Sequence, residues 1–144
     1  MTSSIPLSLL KPTANTPFHI DFEWWQKNEH DWHVHLLKCL CEEHQTYFAE
    51  HPFDQQIDTI DPITAEVKQV DGLTHTLTTH CSQKDDFITE STQLVEAVFR
   101  ALLANGNKPM TTIELEQVTG KTSRTILKTI AHHKVYMGIR PAEA

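Results

Sequence analysis

Apolar positions along the chain change spacing three times. From Asp21 to about Ala49, Trp25, Trp32, Leu36, Leu37, Leu40 and Phe48 recur at helical intervals, with Asp21 placed to cap the first turn. The pattern predicts two helices broken near Asn28, with Trp24, Trp25 and Trp32 in their core. From about His51 to Leu77 the spacing shortens. Pro52 and Pro62 stop helices, "AEVKQVDGL" alternates, and Asp71-Gly72 is a turn signal. This predicts a hairpin of Val67–Val70 with Leu73–Leu77, although "THTLTTHC" also reads as a short helix running to Cys81. Helical spacing returns from Thr89 to Ala104, where Leu94, Val95, Val98, Phe99, Leu102 and Leu103 form one stripe and Gly106 follows as the cap.

The remaining stretch is punctuated by caps. In "TTIELEQVTG", Thr111 stands at the N-cap and Glu114 at the capping-box position, Ile113, Leu115 and Val118 are apolar, and Gly120 closes the helix. "KTSRTILKTI" starts a second short helix at Thr122 or Ser123, with Ile126, Leu127 and Ile130 facing inward. "KVYMGIRP" is strand-like. Before all of these, residues 1–20 hold Pro6, Pro12 and Pro17 among serines and threonines. They read as an extended arm packed through Ile5, Leu7, Leu9 and Leu10. The fold class expected is mainly α with short β elements. The organisation expected is the arm at 1–20, a helical module containing the His and Cys residues at 21–85, and a three-helix module at 89–144.

Charge divides the chain along the same line. The formal net charge is −7. Residues 106–144 carry six basic and three acidic side chains, which is +3, and the rest carries six basic and sixteen acidic, which is −10. Contact with a polyanion is therefore expected only in the C-terminal module, and the acidic part is the expected surface for self-association or a protein partner. With 39% hydrophobic residues the chain can build a core. No apolar run reaches the ~20 residues of a membrane span, and "MTSSIPLSLL" lacks the basic start of a signal peptide. A cytoplasmic location is expected, where clustered Cys and His bind metal more often than they form disulfides.

The last module resembles the winged helix-turn-helix superfamily. "MTTIELEQVTGKTSRTILKTI" carries the resemblance, within about Thr89 to Pro141. "HHKVYMGIRP" is short for a two-stranded wing. The resemblance implies a DNA-contacting module whose second short helix enters the major groove by its first residues, Lys121, Thr122, Ser123, Arg124 and Thr125. Arg124 would read guanine, and Lys121, Lys128, Lys134 and Arg140 would take phosphates. Winged helices also bind proteins, so an adaptor role stands beside DNA binding.

All three cysteines lie in "KCLCEEH" and "THCSQ", each close to a histidine. Histidine is abundant, with ten in the chain. Structural zinc takes four N or S ligands, commonly from two close pairs. Cys41 and His44, at i and i+3, make one pair. His80 and Cys81 make the other. Cys39 is the alternative fourth ligand, and His33 and His35 stand in reserve. Buried thiols and a redox pair are the competing readings. Glu42 or Glu43 could act as a base beside an open metal, but no hydrolase motif, phosphate loop or dinucleotide fingerprint is present. The chain is thus read as a non-enzymatic, transcription-associated protein with a structural zinc, with a metal sensor or small metalloenzyme as the remoter alternative.

Overall fold

A computed structural model describes residues 11–28, 32–51 and 56–142. The fold is mainly helical with short β elements. The apolar residues assigned to the arm, Ile5 to Leu10, lie outside the described residues.

Strand β1 (Phe18–Ile20) buries Phe18 and Ile20 and pairs antiparallel with β4 (Ile139–Pro141), in the register Phe18 to Pro141 and Ile20 to Ile139. The other edge of β1 is also satisfied. Phe18 exchanges main-chain hydrogen bonds of 2.8 and 2.9 Å with Met110. The Asn107 side chain accepts from the Ile20 N–H at 2.8 Å and donates to the Ile20 carbonyl at 2.9 Å, as a neighbouring strand would. The last residues of the segment taken as an extended arm thus form the middle of a small sheet.

Where two helices were expected between Asp21 and Ala49, three form: α1 (Phe22–Lys27), α2 (Trp32–Cys39) and α3 (Glu42–Glu50). Asp21 caps α1 by accepting from the Glu23 N–H at 3.0 Å. The break between α2 and α3 falls at Leu40 and Cys41. Leu40 is buried, and the extended Cys41 begins α3 as its N-cap residue. Of the three tryptophans, Trp25 is buried and Trp24 and Trp32 pack against the core from its edge.

The hairpin differs from expectation. Its strands are β2 (Gln56–Ile60) and β3 (Val67–Asp71), turned at 61–66, where the Asp61 carboxylate accepts from the Ile63 and Thr64 N–H groups. Leu73–Leu77 is not a strand: the alternative reading of "THTLTTHC" as a short helix is the one found, as Gly72–Thr79 forms helix α4. Leu73 and Leu77, four residues apart, are both fully buried on one face. Its threonines bond back along the helix, Thr78 to the Thr74 carbonyl at 3.0 Å and Thr79 to the His75 carbonyl at 2.7 Å. A single 3₁₀ turn at Cys81–Gln83 follows.

Helix α5 (Leu94–Ala104) starts later than the predicted Thr89. Residues 89–92 are drawn into a local turn in which the Thr92 hydroxyl accepts from the Thr89 N–H at 2.9 Å, a competitor to helix formation. Helices α6 (Thr112–Thr119) and α7 (Ser123–Ile130) begin and end as expected. Thr111 and Glu114 form the capping box, Gly120 takes φ +75°, and the Thr122 hydroxyl accepts from the Thr125 N–H. Helix α5 packs on α6 and α7 on one side and on α4 and the 3₁₀ turn on the other. A single apolar core therefore runs through both expected modules, from Trp25, Leu36 and Leu77 through Phe99 and Leu102 to Leu115 and Ile126. Among the described residues, no helix is long and apolar enough to cross a membrane.

Candidate metal centre

Two backbone devices bring the cysteines and histidines together. At the start of α3, Cys41 and His44 share one face because three residues make nearly one turn. At the end of α4, the 3₁₀ turn swings Cys81 inward until it is 1% exposed. The sulfurs of Cys41 and Cys81 lie 3.4 Å apart. The Nδ1 of His44 is 3.2 Å from the Cys41 sulfur and 3.7 Å from that of Cys81.

These lengths can be compared with a zinc tetrahedron. Zn–S bonds of about 2.3 Å and Zn–N bonds of about 2.0 Å at tetrahedral angles separate two sulfurs by roughly 3.8 Å, and sulfur from nitrogen by roughly 3.5 Å. The three observed separations match these edges to within a few tenths of an ångström. A fourth donor is at hand. Donor atoms of Cys41, Glu43, His44 and His80 all lie within 4.8 Å of one another, a group that leaves out the Cys81 sulfur, so His80 would have to shift toward the Cys41–His44–Cys81 triangle to complete it. The His80 ring is 4.5 Å from the His44 ring. His80 Nε2 has no hydrogen-bond partner although its side chain is 43% exposed, and the nearest Glu43 oxygen is 3.8 Å away. An imidazole nitrogen left without a partner is free to take a cation or a water. The grouping can therefore hold a metal ion. Burial pushes the Cys81 thiol up to about 11, against the pull of a main-chain hydrogen bond from Cys41. Without metal it is a neutral thiol that donates to the Cys41 sulfur.

Cys39, the alternative fourth ligand, belongs elsewhere. On α2 it is 2% exposed and groups with His35 and Glu96. His35 Nε2 stands 3.2 Å from Glu96 Oε2, and Arg100 Nε stands 3.5 Å from the same oxygen. Arg100 also donates to the Phe87 carbonyl at 2.9 Å and lies over the Phe87 ring. Burial, reinforced by the Glu96 charge, pushes the Cys39 thiol up to about 12. Burial acts to raise the Glu96 carboxyl, but the hydrogen bonds and charges of His35 and Arg100 outweigh it and hold the group below its ordinary range. A fixed guanidinium beside Glu96 works against a cation, so this second group is a hydrogen-bonded tie between α2 and α5 through His35 and Glu96. Of the reserve ligands, His35 joins this tie and His33 stacks on Trp32.

Glu43, Glu96 and Arg100 were not among the expected site residues. Glu43 adjoins His44, and its sequence signal is that of a base rather than a ligand. Glu96 and Arg100 are the two charges inside the otherwise apolar "LVEAVFRALLA", spaced i and i+4, which is the sequence signal for an internal ion pair.

The expected DNA-contacting residues fall into two sets. Arg124 and Lys128 are exposed along α7 and neither forms an ion pair among the described residues, while Thr125 is exposed but its hydroxyl accepts from the Thr122 hydroxyl at 2.8 Å. The others are engaged within the chain. Lys121 Nζ donates to the Glu90 carbonyl at 3.1 Å. The Thr122 hydroxyl caps α7, and the Ser123 N–H donates to Glu116. Lys134 lies over the Tyr136 ring, and Arg140 pairs with Asp21 at 3.1 Å. Comparison of the chain with protein-family models, with curated proteins and with solved structures found no match.

Proposed function

We propose that the protein binds a structural zinc ion and contacts duplex DNA through α7. The observation that carries the zinc reading is the triangle of Cys41 Sγ, His44 Nδ1 and Cys81 Sγ, with edges of 3.4, 3.2 and 3.7 Å. Two sulfurs and imidazole favour zinc over magnesium or calcium, which prefer oxygen. His80, with its orphaned nitrogen, is the fourth ligand, and Glu43 is the acidic group beside it. Four protein ligands leave no open position, so the metal's role is to fix structure. It clips the start of α3 to the end of α4 across the hairpin, whose Ile60 and Val67 are exposed.

The DNA reading is supported by the α6–Gly120–α7 corner and by the side chains α7 leaves exposed. Arg124 and Thr125 stand in its first turn, where base edges would be met, and Lys128 follows one turn later for a phosphate. Three cationic or polar contacts give weak binding at physiological salt, so self-association or a partner on the acidic N-terminal part completes the affinity. The adaptor reading rests on Ile113 and Val118, each 48% exposed on α6, an apolar pair better suited to protein than to DNA. Fluorescence anisotropy with random duplex at low salt separates the two. Binding that weakens steeply with salt is expected. No binding even at low salt refutes the DNA role, because non-specific electrostatic affinity must appear there.

A further inference from the structure

We propose that Cys41 and Cys81 make the metal centre a redox switch, in which a two-electron oxidant such as hydrogen peroxide joins them as a disulfide and releases zinc. The inference rests on the zinc reading above. Three observations point to it. The two sulfurs are 3.4 Å apart, so a disulfide of about 2.05 Å needs an approach of only about 1.4 Å. Their exposures differ, since Cys41 is half-buried at the mouth of the site and Cys81 is sealed behind it. The third cysteine is kept out, because Cys39 is enclosed with His35, Glu96 and Arg100.

The chemistry balances. Zinc holds both sulfurs as thiolates, the nucleophilic form. The Cys41 sulfur attacks one peroxide oxygen, the O–O bond breaks, and hydroxide leaves to take a proton as water. Cys41 is now a sulfenic acid. The Cys81 sulfur attacks the Cys41 sulfur, the S–O bond breaks, and a second hydroxide leaves and is protonated. Two thiolates have lost two electrons, and peroxide has become two waters. Zinc has lost its two thiolate ligands, and the His44, His80 and Glu43 donors that remain hold it less tightly, so that a competing chelator can take it. The disulfide then closes the same 40-residue span that the metal closed, so the fold survives while the ion departs.

The test uses the zinc-loaded full chain, titrated with hydrogen peroxide in the presence of a chromogenic zinc chelator, with peptide mapping by mass spectrometry. The expected result is release of one zinc per Cys41–Cys81 disulfide, reversed by a thiol reductant with added zinc. The Cys39→Ser variant is expected to respond as the parent does. Zinc retained through excess peroxide, a disulfide that includes Cys39, or release accompanied only by sulfinic acid overturns the switch. A chain that carries no zinc fails earlier, at elemental analysis before peroxide is added, and so marks the zinc reading as the one that is wrong.

Discussion

Removing the metal should cost the fold a measurable fraction of its stability. An ion that binds only the folded chain contributes RT ln(1 + [L]/Kd), which is about 2.7 kcal/mol at a hundredfold excess over Kd and about 4.1 at a thousandfold. The tetrahedral spacing of Cys41, His44 and Cys81 places zinc in that range, with rearrangement needed only at the fourth ligand. Unfolding entropy near 2.1 cal/mol/K per residue gives the 144-residue chain roughly 300 cal/mol/K, so each kcal/mol moves Tm by about 3 °C. Chelation with EDTA should therefore lower Tm by about 9–14 °C. The loss stops short of unfolding because Leu36, Leu73 and Leu77 belong to the shared core and keep their burial. Cys81→Ser should reproduce most of this loss and abolish the response to chelator, with the change concentrated in hydrogen exchange of α3, α4 and the hairpin. Differential scanning calorimetry with elemental analysis measures both. A parent Tm that moves by less than about 1 °C in EDTA, in protein without stoichiometric metal, would falsify the structural-zinc reading and return Cys41 and Cys81 to core filling.

Arg124→Ala and Lys128→Ala should each weaken duplex binding severalfold and reduce the slope of log K against log salt by about one, read by anisotropy at several salt concentrations, while Lys121→Ala, whose amine is tied to the Glu90 carbonyl, should do less. Glu96 is held below the ordinary carboxylate range, so its contribution is present above the unfolded-state value and is lost as pH falls through the folded one. Glu96→Gln should accordingly cost about 1–2 kcal/mol at pH 7 and flatten the acid limb of stability against pH, and an unchanged acid limb in urea titrations would remove the His35–Glu96 tie from the account. Gly138→Ala should cost about 2–4 kcal/mol by chemical denaturation. Gly138 sits at φ +74°, and an added Cβ would lie 2.8 Å from both the Asp21 carbonyl and Trp25 Nε1. A loss below about 0.5 kcal/mol would show that this junction is looser than described.

The parts of the fold legible in sequence were those specified locally. The capping box of Thr111 and Glu114, the left-handed Gly120 and the stripe of Val98, Phe99, Leu102 and Leu103 each follow from neighbours within one or two turns. The candidate site was legible for a related reason: Cys41 with His44, and His80 with Cys81, are local pairs, and only the meeting of the two had to be supplied by folding. What misled was competition that spacing does not record. Leu73–Leu77 reads equally as a strand or, within "THTLTTHC", as a helix, and the burial of Leu73 and Leu77 on one face decides for the helix. The assignment of Cys39 turned on Glu96 and Arg100, nearly sixty residues away. The partner of β4 was invisible because its pairing with β1 spans almost the whole chain.

That pairing has a consequence for synthesis on the ribosome. Ile20 and Ile139 are partners separated by 119 residues. At about 5–20 residues per second, β1 waits on the order of 6–24 s after it is made before β4 exists. Phe18 and Ile20, fully buried in the finished fold, spend that interval without one of their walls. Met110 and the Asn107 side chain, which hold the other edge of β1, are made some thirty residues sooner and can dock the strand provisionally. Assembly then ends at Gly138, where the chain closes over Trp25. A nascent chain stalled before residue 138 should present an unfinished apolar edge to chaperones, whereas one extended past residue 142 and clear of the exit tunnel should not.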